Sequence, residues 1–396
     1  MNIKKDFKIL RENENYVYVD SACMSLRPDK VINKIMEYYN EYPVCSGRSN
    51  HKLSSRLNTE VKYARRMVRK FINAKHDEEI IFTKNTTESL NLVANSFDFN
   101  KGDCVLISDK EHNSNLVPWI NLREKGVKLL ILKTNDDGTF NIDRFKKAIN
   151  RDNLKLISFQ YTSNIDGVSF PIKEIVNLAH KKGIKVLIDA AQAAPHKELN
   201  VRKLDVDFLA FSGHKMMGPS GIGVLYGKMN CLKDLKPFIV GGETVKNTTY
   251  SSIEYENIPE LFEAGLQHYS GIIGLGEACR YLMKLGLKKI SKHEQKLNKI
   301  LTDGLKDDVK IIGPLEYDKR SGIFNFYIDG IDMHNFSTVL DSSANIMTRS
   351  GQHCVHSYYN ERCLPVSCRI SVYAYNTEEE IKRVVKEIKH TIFLLK

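Results

Sequence analysis

A single lysine stands out in the segment Phe211-Ser212-Gly213-His214-Lys215-Met216-Met217-Gly218-Pro219-Ser220-Gly221-Ile222-Gly223. The apolar run Asp207-Phe208-Leu209-Ala210-Phe211 before it reads as a buried strand, which delivers Lys215 into a glycine-rich turn. Burial strips water from an ammonium group and lowers its pKa, and the neutral amine can then hold an aldehyde as a Schiff base. In a chain with 59 lysines and arginines, any one lysine is more often a solvated surface group, so the neighbouring motifs have to decide.

Asp189 ends another apolar run, Val186-Leu187-Ile188, and leads into Ala190-Ala191-Gln192. A carboxylate at the end of a parallel strand can keep a heterocyclic nitrogen protonated, which makes the ring an electron sink; equally, it can cap a helix. Lys84-Asn85-Thr86-Thr87-Glu88 follows the strand-like Ile80-Ile81-Phe82-Thr83 and opens a helical stretch. Its N–H groups and hydroxyls suit a phosphate, although an ordinary helix cap uses the same physics. A phosphate cradle, a pyridinium carboxylate and a Schiff-base lysine together describe pyridoxal 5′-phosphate.

These groups need a scaffold, and the middle of the chain supplies its pattern. Cys104-Val105-Leu106-Ile107-Ser108, Lys128-Leu129-Leu130-Ile131-Leu132, Leu156-Ile157-Ser158-Phe159 and Lys185-Val186-Leu187-Ile188-Asp189 alternate with amphipathic helical stretches. That alternation predicts an α/β layer with a mainly parallel sheet, whose ligand sites lie at the strands' C-terminal ends. Beyond the helical stretch 274–284 come fewer strands, Gly322-Ile323-Phe324-Asn325-Phe326-Tyr327 and Arg369-Ile370-Ser371-Val372-Tyr373, and a closing helix from Thr377. We expect a large cofactor-binding domain over 16–284, and a smaller α+β domain from 1–15 and 285–396.

Composition narrows the classes. The 396 residues carry 59 basic and 48 acidic side chains, a formal charge of +11, with 42% hydrophobic residues and no long apolar run. An acidic partner such as tRNA would suit that charge, but lysines mixed with Glu and Asp in Leu287-Lys288-Lys289-Ile290-Ser291-Lys292 read as a solvated helical face. Nucleic acid is therefore not expected as a partner, nor is a membrane. The charged start, Met1-Asn2-Ile3-Lys4-Lys5, has no signal-peptide core, and the expected location is cytoplasmic. The eight cysteines form no Cys-x-x-Cys pair, so no metal site is expected.

The motifs together resemble fold-type I, pyridoxal-phosphate enzymes of the class V aminotransferase group, and within it the SufS-type cysteine desulfurases. The resemblance runs nearly end to end, through Tyr18-Val19-Asp20-Ser21-Ala22, Glu111-His112, Ser163-Asn164, Asp189-Ala190-Ala191-Gln192, Ser212-Gly213-His214-Lys215, Arg349-Ser350-Gly351-Gln352-His353-Cys354 and Cys368-Arg369-Ile370-Ser371. It implies a seven-stranded sheet between helices and a small domain that carries the cysteine loop. By the resemblance, Lys215 holds the coenzyme and moves protons at the substrate Cα, and Asp189 pairs with the pyridine nitrogen. His112 covers the ring and serves as an acid–base group. Gln192 and Asn164 address the ring oxygen and the substrate carboxylate side, while Thr86, Thr87, Ser212 and His214 hold the phosphate. Arg369, with Arg349, clamps the substrate carboxylate, a geometry suited to guanidinium.

Cys354 separates the reaction types. A transaminase needs no thiol, whereas a desulfurase needs a nucleophile to accept sulfur as the substrate C–S bond breaks. Most single cysteines are small core hydrophobes, but a polar loop with His353, His356 and Arg349 argues against burial here. The implied reaction converts L-cysteine to L-alanine and an enzyme persulfide that passes to an acceptor, either a scaffold or a SufE/SufU-like protein. That sulfur would feed iron–sulfur clusters, thio-cofactors or tRNA, and the enzyme would be a homodimer. Selenocysteine lyase, cysteine-sulfinate desulfinase, aminotransferase or epimerase chemistry on the same scaffold stays open, as does a non-catalytic scaffold that binds acceptor proteins or RNA.

Three positions depart from the family pattern. Leu266 replaces a threonine expected to reach a neighbouring subunit's phosphate, which shifts the expectation to Gln267 or His268. A paired histidine becomes Gln352, and Gly47 stands where a histidine belongs, in the loop with Arg48 and His51 expected over the pocket. Cys23 and Cys45, near the expected pocket mouth, read as small residues, with a sulfur relay or a metal or iron–sulfur species alongside Cys354 as the alternative.

Overall fold

A computed structural model describes residues 3–47 and 49–396, so Arg48 lies outside the described residues. Among these residues seven strands form the main sheet: β1 (Ile80–Thr83), β2 (Cys104–Ser108), β3 (Lys128–Leu132), β4 (Leu154–Gln160), β5 (Lys185–Asp189), β6 (Phe208–Ser212) and β7 (Gly223–Gly227). Their order is β1-β7-β6-β5-β4-β2-β3. All neighbours are parallel except β7, which runs antiparallel to both β1 and β6. Because β7 reverses once on each side, β1 points the same way as β6. The C-terminal ends of β1, β2, β4, β5 and β6 therefore share one edge.

Both faces of this sheet are covered, which explains why its strands read as unbroken apolar runs. Side chains alternate across it. Phe82, Leu106, Ile157, Ile188 and Phe211 join one core, while Ile81, Val105, Leu156, Leu187 and Ala210 join the core on the other face. The helices Lys52–Ile72 and Tyr269–Leu285 pack on the first face, contributing Val68, Phe71, Ile272 and Leu275. Ile3, Phe7 and Leu10 join that same core.

A second sheet joins Lys310–Ile311, Ile323–Tyr327, Ser367–Ser371 and Arg349–Gly351 in that order, antiparallel throughout. Helices Leu287–Leu305, Met333–Ala344 and Glu378–Leu395 enclose a separate core with Leu301, Phe324, Phe336, Ile370 and Ile388, which Val17 and Val19 also enter. The closing helix starts as its sequence predicts: Thr377 caps it and Glu380 reaches back to the cap N–H at 2.9 Å.

Candidate active site

The strand ends converge on a cavity of about 250 Å³. Twelve of the residues singled out in the sequence line it: Thr86, Thr87, His112, Asn164, Asp189, Gln192, Ser212, His214, Lys215, Arg349, Cys354 and Arg369. Each arrives by a short step from a strand. Helix Thr86–Ser96 follows β1, capped by the Asn85 side chain, which accepts from Glu88 N–H. Gly223 opens β7 directly beneath this cap; a Cβ there would lie 2.6 Å from Asn85 Cα, so only glycine lets strand and helix terminus meet.

The helix terminus is linked to β6. Ser212 Oγ accepts from Thr86 N–H at 2.8 Å and lies 2.7 Å from Thr86 Oγ1. Thr87 Oγ1 stands 2.7 Å from Ser114 Oγ, which in turn sits 3.0 Å from His112 Nδ1. These hydroxyls, gathered at the N-terminus of a helix, form a cradle suited to an anion. Ser114 had no part in the sequence reading; only its spacing, two residues past His112, hinted at it.

Burial shapes the ionisable groups. The surroundings of Lys215 lower its pKa, with desolvation opposed by the charge of Asp189. Asp189 is 6% exposed and pushed up by that burial, its Oδ1 accepting from Ala191 N–H at 2.8 Å. His112 falls to about 3, first through desolvation and then through the charge of Lys215, and His214 falls to about 4 for the same reasons. Both rings are neutral near pH 7. His112 Nδ1 accepts from Ser114 N–H at 3.1 Å, which assigns its proton to Nε2.

The second sheet brings the arginines. Arg349 and Arg369 are direct cross-strand partners, so both leave the same face of that sheet. Arg369, fully inside the protein, donates to the Asn164 carbonyl at 3.0 Å and to Asp20 Oδ1 at 3.2 Å, and its Nε has no partner in the protein. Asp20, unassigned in the sequence reading, is thus the anion that neutralises this guanidinium. Cys354 sits half-buried on the loop that follows, with φ +60°, after Gly351 at φ +132° and His353 at φ +52°. Three left-handed residues in four turn the thiol back toward the cavity, and only the first is glycine.

Some expectations shift. Burial pushes His353 to about 2, and its Nε2 pairs with Ser367 Oγ at 3.0 Å, so it supplies no charge to Cys354. His51 does not line the cavity; it caps helix Lys52–Ile72 by accepting from Ser54 N–H. Leu266 is exposed, and Gln267 and His268 line a separate cavity with Lys84 and Glu88. Cys45 is exposed outside the cavity, whereas Cys23 lines it. Among the described residues no group of three or more His, Cys, Asp or Glu side chains is placed to hold a metal.

The residues present fit a pyridoxal-phosphate group. Asp189 places a buried carboxylate opposite Lys215, and Asn164 Oδ1 and Gln192 Oε1 are buried polar atoms without a partner in the protein. Such orphaned groups on a cavity wall are costly unless a ligand completes them.

Fold and site define a class, and comparison with known families agrees: residues 17–384 match the aminotransferase class-V family, and the chain belongs to it. Within that family it is similar to a probable cysteine desulfurase of Halalkalibacterium halodurans, at 37% identity over 98% of this chain and 97% of that one. The apo structure of a cysteine desulfurase from Thermococcus onnurineus NA1 matches with a TM-score of 0.95 at 36% identity, covering 99% and 98% of the two chains. The cysteine desulfurase CsdA (S-sulfonic acid) of Escherichia coli matches with a TM-score of 0.92 at 29% identity, covering 99% and 98%.

Proposed function

We propose that this chain is a pyridoxal-phosphate-dependent L-cysteine desulfurase that forms L-alanine and leaves the sulfur as a persulfide on Cys354. The observation that carries the reading is one cavity lined by a lysine of lowered pKa, a buried carboxylate and a cysteine on a strained loop. In this reading Lys215 holds the coenzyme aldehyde, Asp189 its ring nitrogen, and Thr86, Thr87, Ser212 and His214 its phosphate. When bound, the coenzyme supplies an electron sink for charge developing at the substrate Cα.

The chain's own groups do the rest. Arg369 and Arg349 bind and orient the α-carboxylate of cysteine, with Asn164 and Gln192 completing hydrogen bonds on that side. The Lys215 amine, its pKa lowered by burial, takes the Cα proton and returns it. His112 holds a proton at Nε2, over the cavity. Cys354 Sγ attacks the substrate sulfur, the substrate Cβ–S bond breaks, and Cβ gains a proton, so that cysteine and one thiol become alanine and one persulfide. An acceptor protein then takes the sulfur from the half-exposed loop.

Homodimerisation, a cytoplasmic location and the division into a large domain (16–284) and a small one (285–396) are part of the same proposal; residues 1–15, expected with the small domain, instead place Ile3, Phe7 and Leu10 in the core of the large one. Among the described residues, no helix is long and apolar enough to cross a membrane.

The test supplies the purified chain with pyridoxal 5′-phosphate and L-cysteine, then measures alanine together with enzyme-bound sulfur. One alanine per sulfur transferred is expected. Transfer of the amino group to a keto acid, with no sulfur released, would overturn the reading in favour of transamination.

A further inference from the structure

Cys354 is not the sole thiol facing the cavity. Cys23, half-buried in the turn after Asp20, lines it too. The turn is well held: Cys23 N–H donates to the Asp20 carbonyl at 3.1 Å, and Ala22 N–H donates to Ser371 Oγ at 2.9 Å. Arg349 Nη1 donates to the Cys23 sulfur. The same sulfur lies within electrostatic reach of Lys215 and Arg369, and Lys215 also feels Cys354. Two cysteines, one from the N-terminal turn and one from the loop after Arg349, thus share one wall of cationic groups.

That wall also has unfilled hydrogen-bonding capacity. Arg369, 2% exposed, keeps an unpartnered Nε. Guanidinium N–H groups can donate to sulfur, and the thiolate is the form that attacks another sulfur. The remaining cysteines have no such placement. Cys104, Cys231, Cys279 and Cys368 are buried in the cores, and Cys45 and Cys363 are exposed outside the cavity.

We infer that Cys23 is a second sulfur-carrying site of the cavity, loaded from Cys354. The inference rests on the desulfurase reading, which supplies the persulfide. In the step, the Cys23 thiolate attacks the outer sulfur of the Cys354 persulfide. The Cys23–S bond forms, the S–S bond at Cys354 breaks, and Cys354 leaves as a thiolate. The exchange is thiol for thiol, so no oxidant or reductant is consumed. Cys354 is then free for a second turnover, and the chain stores two sulfurs where a single-thiol site stores one.

The test uses the coenzyme-loaded enzyme, excess L-cysteine and no acceptor, followed by a persulfide-capping alkylating reagent and peptide mass mapping. Added sulfur is expected on both the Cys23 and Cys354 peptides of the wild-type chain, approaching two sulfurs per chain. Cys23→Ser and Cys23→Ala should each hold one, on Cys354. Cys354→Ser should form no sulfur adduct at Cys23. Sulfur confined to Cys354 in the wild type would overturn the inference. So would loading of Cys23 in Cys354→Ser, or a Cys23–Cys354 disulfide with sulfide release as the sole product. If neither cysteine gains sulfur and no alanine forms, the desulfurase reading fails and the relay falls with it; alanine formation with sulfur on Cys354 alone sinks only the relay.

Discussion

The side-chain amide of Asn164 donates to the backbone carbonyl of His353 at 2.8 Å, while the Asn164 carbonyl accepts from Arg369 at 3.0 Å. One residue from the loop after β4 therefore grips both the cysteine loop and the arginine strand of the other sheet. Asn164→Ala removes the first contact and leaves a buried carbonyl unpaired, at a cost of about 1–3 kcal/mol in stability. The Arg369 contact, made by the backbone, persists. We expect a rise in KM for cysteine with a smaller fall in kcat, and Asn164→Asp to be worse, since its carboxylate faces the His353 carbonyl. Steady-state kinetics with urea unfolding check both; an unchanged KM would remove Asn164 from the substrate side.

Asp189 is held for charge rather than shape. Its carboxylate is buried and raised by desolvation, which the Ala191 N–H at Oδ1 and the charge of Lys215 only partly oppose. Asp189→Asn keeps the volume and removes the charge. Turnover should fall by roughly 10²-fold or more, as expected when a preorganised charge is lost, while thermal stability without coenzyme should hold or rise. A variant with near-normal turnover would contradict the assignment.

The resemblance carried the site because its residues sit within a few positions of strand ends, where period and fold class locate them together. The strand runs 80–83, 104–108, 128–132 and 185–189 appear where their apolar character places them. What the sequence did not offer was β7: Gly223–Gly227 follows the lysine turn without a helix, so alternation gave no cue for its antiparallel insertion between β1 and β6. Nor could spacing reveal Asp20 against Arg369, 349 residues apart, or Cys23 against Arg349. His51 misled because a histidine near a pocket motif and a histidine capping a helix look alike until the helix start is known.

Three site histidines set the acid limit. His112, His214 and His353 are pushed to about 3, 4 and 2 by burial and by neighbouring Lys or Arg charges. The native state refuses protons that the unfolded chain accepts near 6.5, so acid favours unfolding. Their stabilisation is fully present above pH 6.5 and is lost as pH falls toward 4 and below. Melting temperature should therefore drop steadily on acidification below about pH 6.5. His353→Gln should flatten the slope, since it deletes one of the refused protons outside the proposed chemistry. A slope identical to wild type would show that His353 is not buried neutral.

Behind the site, Lys110 pairs with Asp166, both fully buried, and Lys110 also donates to the Gly138 carbonyl at 2.6 Å. Asp166 further accepts from Val168 N–H at 3.0 Å. The pair joins the residue two before His112 to the residue two after Asn164, so it ties together two loops of the cavity wall. Removing one partner strands a charge without water, at a cost of about 3–5 kcal/mol. Lys110→Met and Asp166→Leu should each unfold at distinctly lower urea concentration. Lys110→Met combined with Asp166→Leu should recover part of the loss, because neither charge remains to be desolvated. Recovery of folding without recovery of turnover would assign the pair a positioning role, whereas full additivity of the two single losses would show that the two side chains do not act on each other.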